Sequence, residues 1–277
     1  MSLTWDADEP PPPERLGPMD WLRVGLRGLP LAAVVFGGLA VHLTLRLVER
    51  PLYGRHRPVT PWITQGVCIA ALAILGIGRA RRGTAMSGPG AIVANHASWL
   101  DIFALNAADR VYFVSKDEVA GWPGIGWLAR ATGTLFIRRD RREAAAQSRE
   151  MTARLAAGHR LLFFPEGTST DGRRVLPFRT TLFSAFYAPG LPDGLEVQPV
   201  TLDYRAPEGA DPRFYGWWGD MSFGGHLLKV LAAPRQGTVT VVRHPPVAAA
   251  AAADRKALAR RCEAAVRSAL SLPAPEA

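Results

Sequence analysis

The hydrophobic pattern divides the chain into an apolar N-terminal part and a longer region in which short apolar runs alternate with amphipathic segments. From residue 90 onward, six runs are typical of buried strands: Ala91–Ala94, Val111–Val114, Thr134–Ile137, Leu161–Phe164, Val197–Leu202 and Thr238–Val242. Five segments have helical patterns: Trp99–Asn106, Arg142–Ala157, Thr181–Ala188, Phe223–Ala232 and Asp254–Leu270. Strands separated by helices favour an α/β fold, with a mainly parallel mixed sheet flanked by helices.

The N-terminal part contains two uncharged apolar stretches, Leu29–Leu45 and Pro61–Gly78. Both are at the short limit for a membrane span, which needs about 20 apolar residues. Arginines flank both stretches, so a hairpin that crosses the bilayer twice would place a basic middle loop outside, against the positive-inside rule. Two helices lying in one leaflet, with the arginines on the cytoplasmic side, are favoured. A true span and two buried helices of a soluble domain stay open as alternatives.

These changes in hydrophobicity and composition along the chain predict three regions. Residues 1–20 are acidic and proline-rich, and this composition is typical of a disordered tail. Residues 21–82 are expected to form the membrane-associating helices. Residues 83–272 are expected to form the α/β domain.

Composition narrows the class of protein. Of 277 residues, 48% are hydrophobic, and 33 Lys and Arg residues against 24 Asp and Glu residues leave a net charge of +9. This balance excludes wholesale disorder and a polytopic transporter. The two cysteines, Cys68 and Cys262, exclude a disulfide framework. Excess basic charge indicates an anionic partner, which could be nucleic acid, a membrane surface or a phosphorylated substrate.

The strongest local signal is the segment from Asn95 to Asp101, which follows the first strand and leads into a helix. On one continuous helix, side chains five residues apart diverge. His96 and Asp101 can therefore meet only if His96 lies in the turn and Asp101 lies at the start of the helix, with Ser98 well placed as the N-cap. A carboxylate that accepts a hydrogen bond from one ring nitrogen leaves the other nitrogen as a base. A local pair with a purely structural role is the alternative.

Three further blocks follow strands or lie in them. Phe163–Ser169 contains Pro-Glu-Gly-Thr and presents a carboxylate and a hydroxyl after a strand. Gly133–Arg139 delivers two arginines to the end of another strand, and the planar arginine fork suits phosphate. Val197–Val200 is an apolar strand that contains a proline.

In this order, from Ala91 to Val200, the blocks resemble those of the lysophosphatidate acyltransferase family and its glycerol-3-phosphate acyltransferase relatives. The resemblance implies a glycerol-3-phosphate acyltransferase-like fold and an O-acyltransferase that moves a fatty acyl group from a thioester to a lyso-lipid hydroxyl. It implies that His96 is the general base and that Asp101 orients it, supported by Asn95 and Ser98, without an acyl-enzyme. It also implies an acceptor-binding set: Gly133, Arg138, Arg139, Glu166, Gly167, Thr168 and Ser169.

The same resemblance sets expectations for partners and location. No cofactor and no metal are expected, and the co-substrate would be a thioester of coenzyme A or of acyl carrier protein. The expected partners are a membrane lipid acceptor and the membrane surface, and no nucleic acid. The expected location is the cytoplasmic face of the bacterial inner membrane, by a monotopic attachment or a short N-terminal span.

Ser169 departs from the family pattern, which usually has an arginine at this position for the acceptor's phosphate. Loss of such a charge-assisted contact commonly costs about 2 kcal/mol, and Arg173, Arg174 or Arg179 could replace it. The departure indicates an acceptor without a phosphate. Bacterial lyso-ornithine lipid acyltransferases are similar in length and in the aromatic stretch from Arg213 to Asp220, so lyso-ornithine lipid is the favoured acceptor. Lysophosphatidate and dual specificity stay open.

Two other classes of function compete with this interpretation. A metal-dependent phosphoesterase could use His96, Asp101 and Glu166 as ligands, although no further cluster completes a two-metal site. A non-catalytic protein could bind a membrane or nucleic acid by charge alone, although no nucleic-acid module is recognisable. The aromatic stretch could lie in the core or in the lipid headgroup layer.

Overall fold

The computed structural model describes residues 16–138, 142–191 and 193–270. The α-helices are α1 (Pro18–Tyr53), α2 (Thr60–Leu75), α3 (Leu100–Ala108), α4 (Ile125–Thr132), α5 (Ala144–Ala156), α6 (Phe223–Ala232) and α7 (Arg255–Ser268). The strands are β1 (Gly78–Arg82), β2 (Gly90–Ala94), β3 (Tyr112–Lys116), β4 (Leu135–Ile137), β5 (Leu161–Phe163), β6 (Glu196–Arg205), β7 (Thr238–Arg243) and β8 (Val247–Ala248). Short 3-10 helices cover Asp117–Gly121, Leu182–Tyr187 and Ala249–Ala251.

The strands form one mixed sheet in the order β1-β7-β6-β2-β5-β3-β4, with β8 also paired to β6. Strands β6, β2, β5, β3 and β4 are mutually parallel. Strands β7 and β8 run antiparallel to β6, and β1 runs parallel to β7. The predicted fold class, a mainly parallel mixed sheet, is therefore confirmed. The carboxyl end of β2 emerges in the middle of this sheet, between β6 and β5.

All six predicted strands are present, but the sequence pattern missed β1 and β8. The sequence prediction places Gly78–Arg82 in the N-terminal helical region, but the segment is an edge strand paired with β7. The predicted boundary after residue 82 therefore separates β1 from the rest of the sheet. Four of its five residues are exposed, and an exposed edge strand of arginines carries no apolar signal. The predicted helix Thr181–Ala188 is the 3-10 helix Leu182–Tyr187.

The N-terminal end of the domain division also shifts. Helix α1 begins at Pro18, within the predicted 1–20 tail. Residues 1–15 and 271–277 lie outside the described residues, and so does the remaining part of the disorder prediction.

Two hydrophobic cores lie on opposite faces of the sheet, because alternate side chains of a strand point to opposite faces. Ile92 and Ala94 of β2 pack with residues of α2, α3 and α6, whereas Ala91 and Val93 pack with residues of α5, α7 and the 3-10 helix Leu182–Tyr187. Every residue of β2 is buried. The strand that leads into the first block is thus the buried centre of the sheet.

Helix α1 lies against the α/β domain along much of its length. Arg27 Nη1 donates to Leu231 O (2.9 Å), and His42 Nε2 lies 2.9 Å from Ala131 O. Near its C-terminus, Glu49 accepts hydrogen bonds from Val59 N (2.8 Å), Thr60 N and Thr60 Oγ1. Burial opposes ionisation of Glu49, but these hydrogen bonds prevail and lower its pKa to about 2. The ionised carboxylate therefore fixes the angle between α1 and α2.

Candidate active site

His96 and Asp101 form a hydrogen-bonded pair at the carboxyl end of β2. His96 lies in the turn that follows the strand, and Asp101 lies in the first turn of α3. The distance from His96 Nδ1 to Asp101 Oδ2 is 2.7 Å. The imidazole is 21% exposed and the carboxylate is fully buried. The geometry predicted from the five-residue spacing is therefore present.

The Asp101 carboxylate accepts hydrogen bonds on both of its oxygens. Besides the imidazole, Oδ2 accepts from the backbone N–H groups of Ala97 (2.7 Å) and Ser98 (3.1 Å). Oδ1 accepts from the hydroxyl of Tyr204 (2.8 Å). An ionised carboxylate can only accept, so the hydrogen between the His96 ring and Asp101 is assigned to Nδ1. His96 Nε2 is then left with the lone pair that a general base needs.

Asn95 and Ser98, the two predicted supporting residues, hold the turn in different ways. The buried Asn95 side chain donates to Leu202 O (3.0 Å) and accepts from Leu202 N (2.8 Å), which ties the end of β2 to β6. Trp99, not Ser98, occupies the N-cap position of α3. Ser98 Oγ accepts a hydrogen bond of 3.3 Å from Leu100 N. The Asp101 carboxylate bonds the N–H groups of Ala97 and Ser98, which precede the helix, and so ties the His96 turn back onto the start of α3.

Glu166 supports His96 from the neighbouring loop after β5. Its Oε1 accepts from His96 N and its Oε2 accepts from Leu176 N, both at 2.7 Å. The side chain is 2% exposed, and burial raises its pKa to about 8, against the two N–H groups that favour the ionised form. The Phe164 ring stacks on the imidazole, with centroids 4.0 Å apart. Both oxygens of Glu166 thus accept hydrogen bonds from backbone N–H groups. The bond from His96 N holds the backbone of the His96 turn in place.

Ser169, which departs from the family pattern, points into the protein. It is 3% exposed, and its Oγ donates to Trp217 O (2.7 Å). Trp217 N in turn donates to Ala97 O (2.9 Å), and Thr170 N donates to His96 O (3.0 Å). Tyr215, Trp217 and Trp218 of the aromatic stretch are buried, so this stretch belongs to the core beside the site and the headgroup-layer interpretation is wrong.

Gly167 and Thr168 complete this loop. Gly167 adopts φ +72°, and the guanidinium carbon of Arg179 lies 3.2 Å from where a Cβ on Gly167 would stand. The positive φ favours glycine here, and a Cβ would also press on the Arg179 side chain. Thr168 Oγ1 donates to Ser169 O (3.3 Å).

The block with Gly133 and Arg138 lies apart from His96. Strand β4 is three strands away from β2 in the sheet, which is roughly 14 Å at the usual strand spacing. Gly133 ends α4 with φ +84°, and its carbonyl accepts a hydrogen bond from Arg154. Arg138 is 59% exposed and pairs with Asp117 (2.7 Å) and Glu143 (3.1 Å). The Asp117 carboxylate raises the pKa of Arg138 further. Arg139 lies outside the described residues.

The remaining buried histidines have structural partners. Burial lowers the pKa of His226 to about 3, and its Nδ1 lies 2.8 Å from Trp99 Nε1. Burial also lowers the pKa of His159 to about 4, and its Nε2 lies 2.9 Å from Arg55 O. In the described part of the chain, no group of three or more His, Cys, Asp or Glu side chains could hold a metal ion.

Comparisons with known proteins agree with this geometry. Residues 78–203 match the family described as Acyltransferase. Over 264 residues the chain is 60% identical to the lyso-ornithine lipid O-acyltransferase of Rhodobacter capsulatus, and the match covers 95% of this chain and 96% of that protein. It is 36% identical over 137 residues to a 1-acyl-sn-glycerol-3-phosphate acyltransferase of Neisseria gonorrhoeae, covering 48% and 52% of the two chains.

A solved structure also has the same fold. The crystal structure of the 1-acyl-sn-glycerophosphate acyltransferase of Thermotoga maritima superimposes with a TM-score of 0.62 at 22% identity. The superposition covers 90% of this chain and 93% of that one, so the similarity extends well beyond the residues of the family match.

Proposed function

The chain belongs to the acyltransferase family, and from this premise we propose that it transfers a fatty acyl group from an acyl thioester to the hydroxyl of lyso-ornithine lipid. The observation that carries the reaction is the His96–Asp101 pair, with a buried carboxylate behind a partly exposed imidazole. The acceptor is supported by the 60% identity with the lyso-ornithine lipid enzyme over nearly the whole chain.

The reaction needs one base that later becomes an acid. His96 Nε2 takes the proton from the acceptor hydroxyl while the hydroxyl oxygen attacks the thioester carbonyl. Collapse of the tetrahedral intermediate breaks the carbon–sulfur bond, and the imidazolium returns the proton to the leaving thiolate. Asp101 stabilises the imidazolium between the two steps. Acyl carrier protein and coenzyme A present the same thioester chemistry, and either could be the donor.

The ornithine headgroup carries a carboxylate, for which an arginine near His96 is a suitable partner. Ser169 supplies no cation, and its hydroxyl is bonded inside the protein. Arg174 is paired with Asp171 at 2.8 Å. Arg179 is exposed, lies over Gly167, and follows the loop that holds His96. Its guanidinium therefore suits the carboxylate of an ornithine headgroup.

The acceptor is tested by competition between lyso-ornithine lipid and lysophosphatidate, presented in the same mixed micelles with one acyl thioester. We expect kcat/KM to favour lyso-ornithine lipid at least tenfold. Comparable use of both lipids would indicate dual specificity, and activity on lysophosphatidate alone would overturn the proposed acceptor.

Arg179→Ala should raise KM for lyso-ornithine lipid about tenfold, the effect of losing one charge-assisted hydrogen bond. Arg260→Ala, which removes an exposed arginine of α7, is the matched control.

Replacement of Ser169 by arginine would test the acceptor less cleanly. An arginine at this buried position would have to displace the Trp217 carbonyl and would disturb the hydrogen bonds between the aromatic stretch and the His96 turn. A loss of activity in that variant would therefore report on packing as much as on acceptor choice.

We also propose that α1 lies along the membrane surface. It is long and apolar enough to cross a membrane, and only 17% of its most apolar window is buried. However, Arg27 and His42 both bond to carbonyls of the α/β domain, and they are roughly 22 Å apart along the helix. A helix held in this way cannot enter the bilayer end-on without the domain. Large apolar side chains are exposed along its whole length, among them Trp21, Leu26, Phe36, Leu47 and Leu52.

Cysteine labelling distinguishes these two placements. The native cysteines are buried, so single cysteines introduced as Arg23→Cys and Arg55→Cys report on the two ends of α1. If α1 lies on the cytoplasmic leaflet, a membrane-impermeant maleimide should label both only after permeabilisation of the cells. Labelling of one position in intact spheroplasts would show that α1 crosses the membrane.

A further inference from the structure

Tyr204 contacts the site from the end of β6, four residues beyond the last sequence block, Val197–Val200. Strand β6 pairs with β2 in a register that puts Val200 beside Ala94, so Tyr204 lies four residues beyond the end of β2. This extension carries its ring over the start of α3. The hydroxyl donates to Asp101 Oδ1 at 2.8 Å, and the side chain is buried.

We propose that Tyr204 is a positioning residue of acyl transfer, which acts on His96 through Asp101. The inference rests on the proposed roles of His96 and Asp101. The other oxygen, Oδ2, carries the imidazole and two backbone N–H groups, all of which belong to one turn. Tyr204 is the contact to this carboxylate from a different element, and it fixes the plane of the carboxylate against rotation about the Cβ–Cγ bond.

The hydroxyl also sets how strongly Asp101 attracts a proton on His96. A hydrogen bond to a carboxylate stabilises its negative charge, which weakens its attraction for an adjacent imidazolium. The other titratable groups near this pair are Glu166, from the loop after β5, and Tyr215, behind the Tyr204 ring. Burial and the nearby Asp101 carboxylate raise the pKa of Tyr204 well above its usual value, so the group stays a donor across the working pH range.

Tyr204→Phe removes the hydroxyl and keeps the ring. We expect kcat to fall about tenfold with KM for both substrates unchanged, because the group touches neither substrate. The acid limb of the kcat/KM profile should move to higher pH by about 0.5 units, because Asp101 without this donor holds the proton on His96 more tightly.

Tyr215→Phe is the matched control. Its ring centroid lies 5.4 Å from that of Tyr204, and its hydroxyl bonds Gln236 Oε1 and Gly237 N, away from Asp101. This variant loses an equally buried hydroxyl, so it should lower the thermal midpoint and leave kcat and the pH profile as in the wild type. An equal shift of the acid limb in both variants would overturn the inference.

Substitution of 3-fluorotyrosine at position 204 gives a second test that preserves the shape of the side chain. The more acidic phenol is a stronger donor, so the acid limb should move to lower pH, opposite to its movement in Tyr204→Phe. If the pH profile were unchanged both in Tyr204→Phe and in the 3-fluorotyrosine protein, the proposed role of Tyr204 would be overturned. His96→Ala tests the general base independently of that result. Full activity of His96→Ala would instead overturn the proposed function on which this inference rests.

Discussion

His96→Ala should lower kcat for acyl transfer by about 10³-fold or more, because a positioned general base commonly contributes 10²–10⁴-fold and the thioester reaction needs this base for both proton transfers. The imidazole is the partly exposed member of the pair, and its backbone N–H remains bonded to Glu166 in the variant. The fold should therefore survive. Steady-state kinetics with a saturating thioester measure the loss of kcat. The thermal midpoint of unfolding shows whether the fold is retained.

His56→Ala is the control for this change. His56 is exposed and lies in the linker between α1 and α2, close to the proposed membrane surface and away from the end of β2. Its removal should leave kcat unchanged. If His96→Ala kept kcat within tenfold of the wild type while remaining folded, His96 would not be the base, and the proposed mechanism would be wrong.

Asp101→Asn should lower kcat by about 10²–10³-fold and leave the active site assembled. The asparagine oxygen can replace Oδ2 and accept from the imidazole and the two backbone N–H groups. Its NH₂ group then faces Tyr204, whose hydroxyl can rotate to accept instead of donating. The geometry is retained, but the negative charge that stabilises the imidazolium is lost. KM should change little, since Asp101 is fully buried behind His96.

Two comparisons separate this loss of charge from a loss of folding. Asp101→Ala leaves two backbone N–H groups and the Tyr204 hydroxyl without a partner, at about 1–3 kcal/mol for each buried group, so it should unfold at a markedly lower temperature. Asp254→Asn is the matched control, because Asp254 caps α7 through Ala257 N and asparagine caps equally well. Wild-type kcat in Asp101→Asn would refute the role of the charge.

Much of the site follows from local sequence. The His96–Asp101 contact spans five residues and needs only a strand end, a turn and a helix start, all of which have clear patterns. The six predicted strands also follow from local sequence patterns. The acyltransferase family follows from short sequence blocks in a fixed order. The edge strand β1 was not predicted from the sequence, because its arginines are exposed and show no alternation of hydrophobic and polar residues.

The tertiary structure decided which chemical groups meet at His96. Strand order is non-local, so the sequence could not tell that β6 lies beside β2 and brings Tyr204 to Asp101, or that β4 holds Arg138 three strands away. The direction of a loop side chain is also set by packing. Glu166 and Ser169 follow a strand in the expected place, yet both turn inward to backbone groups of neighbouring loops. The sequence by itself determined the pair and the chemistry of this protein, whereas packing between distant segments decided which residues support that pair and which remain for the acceptor.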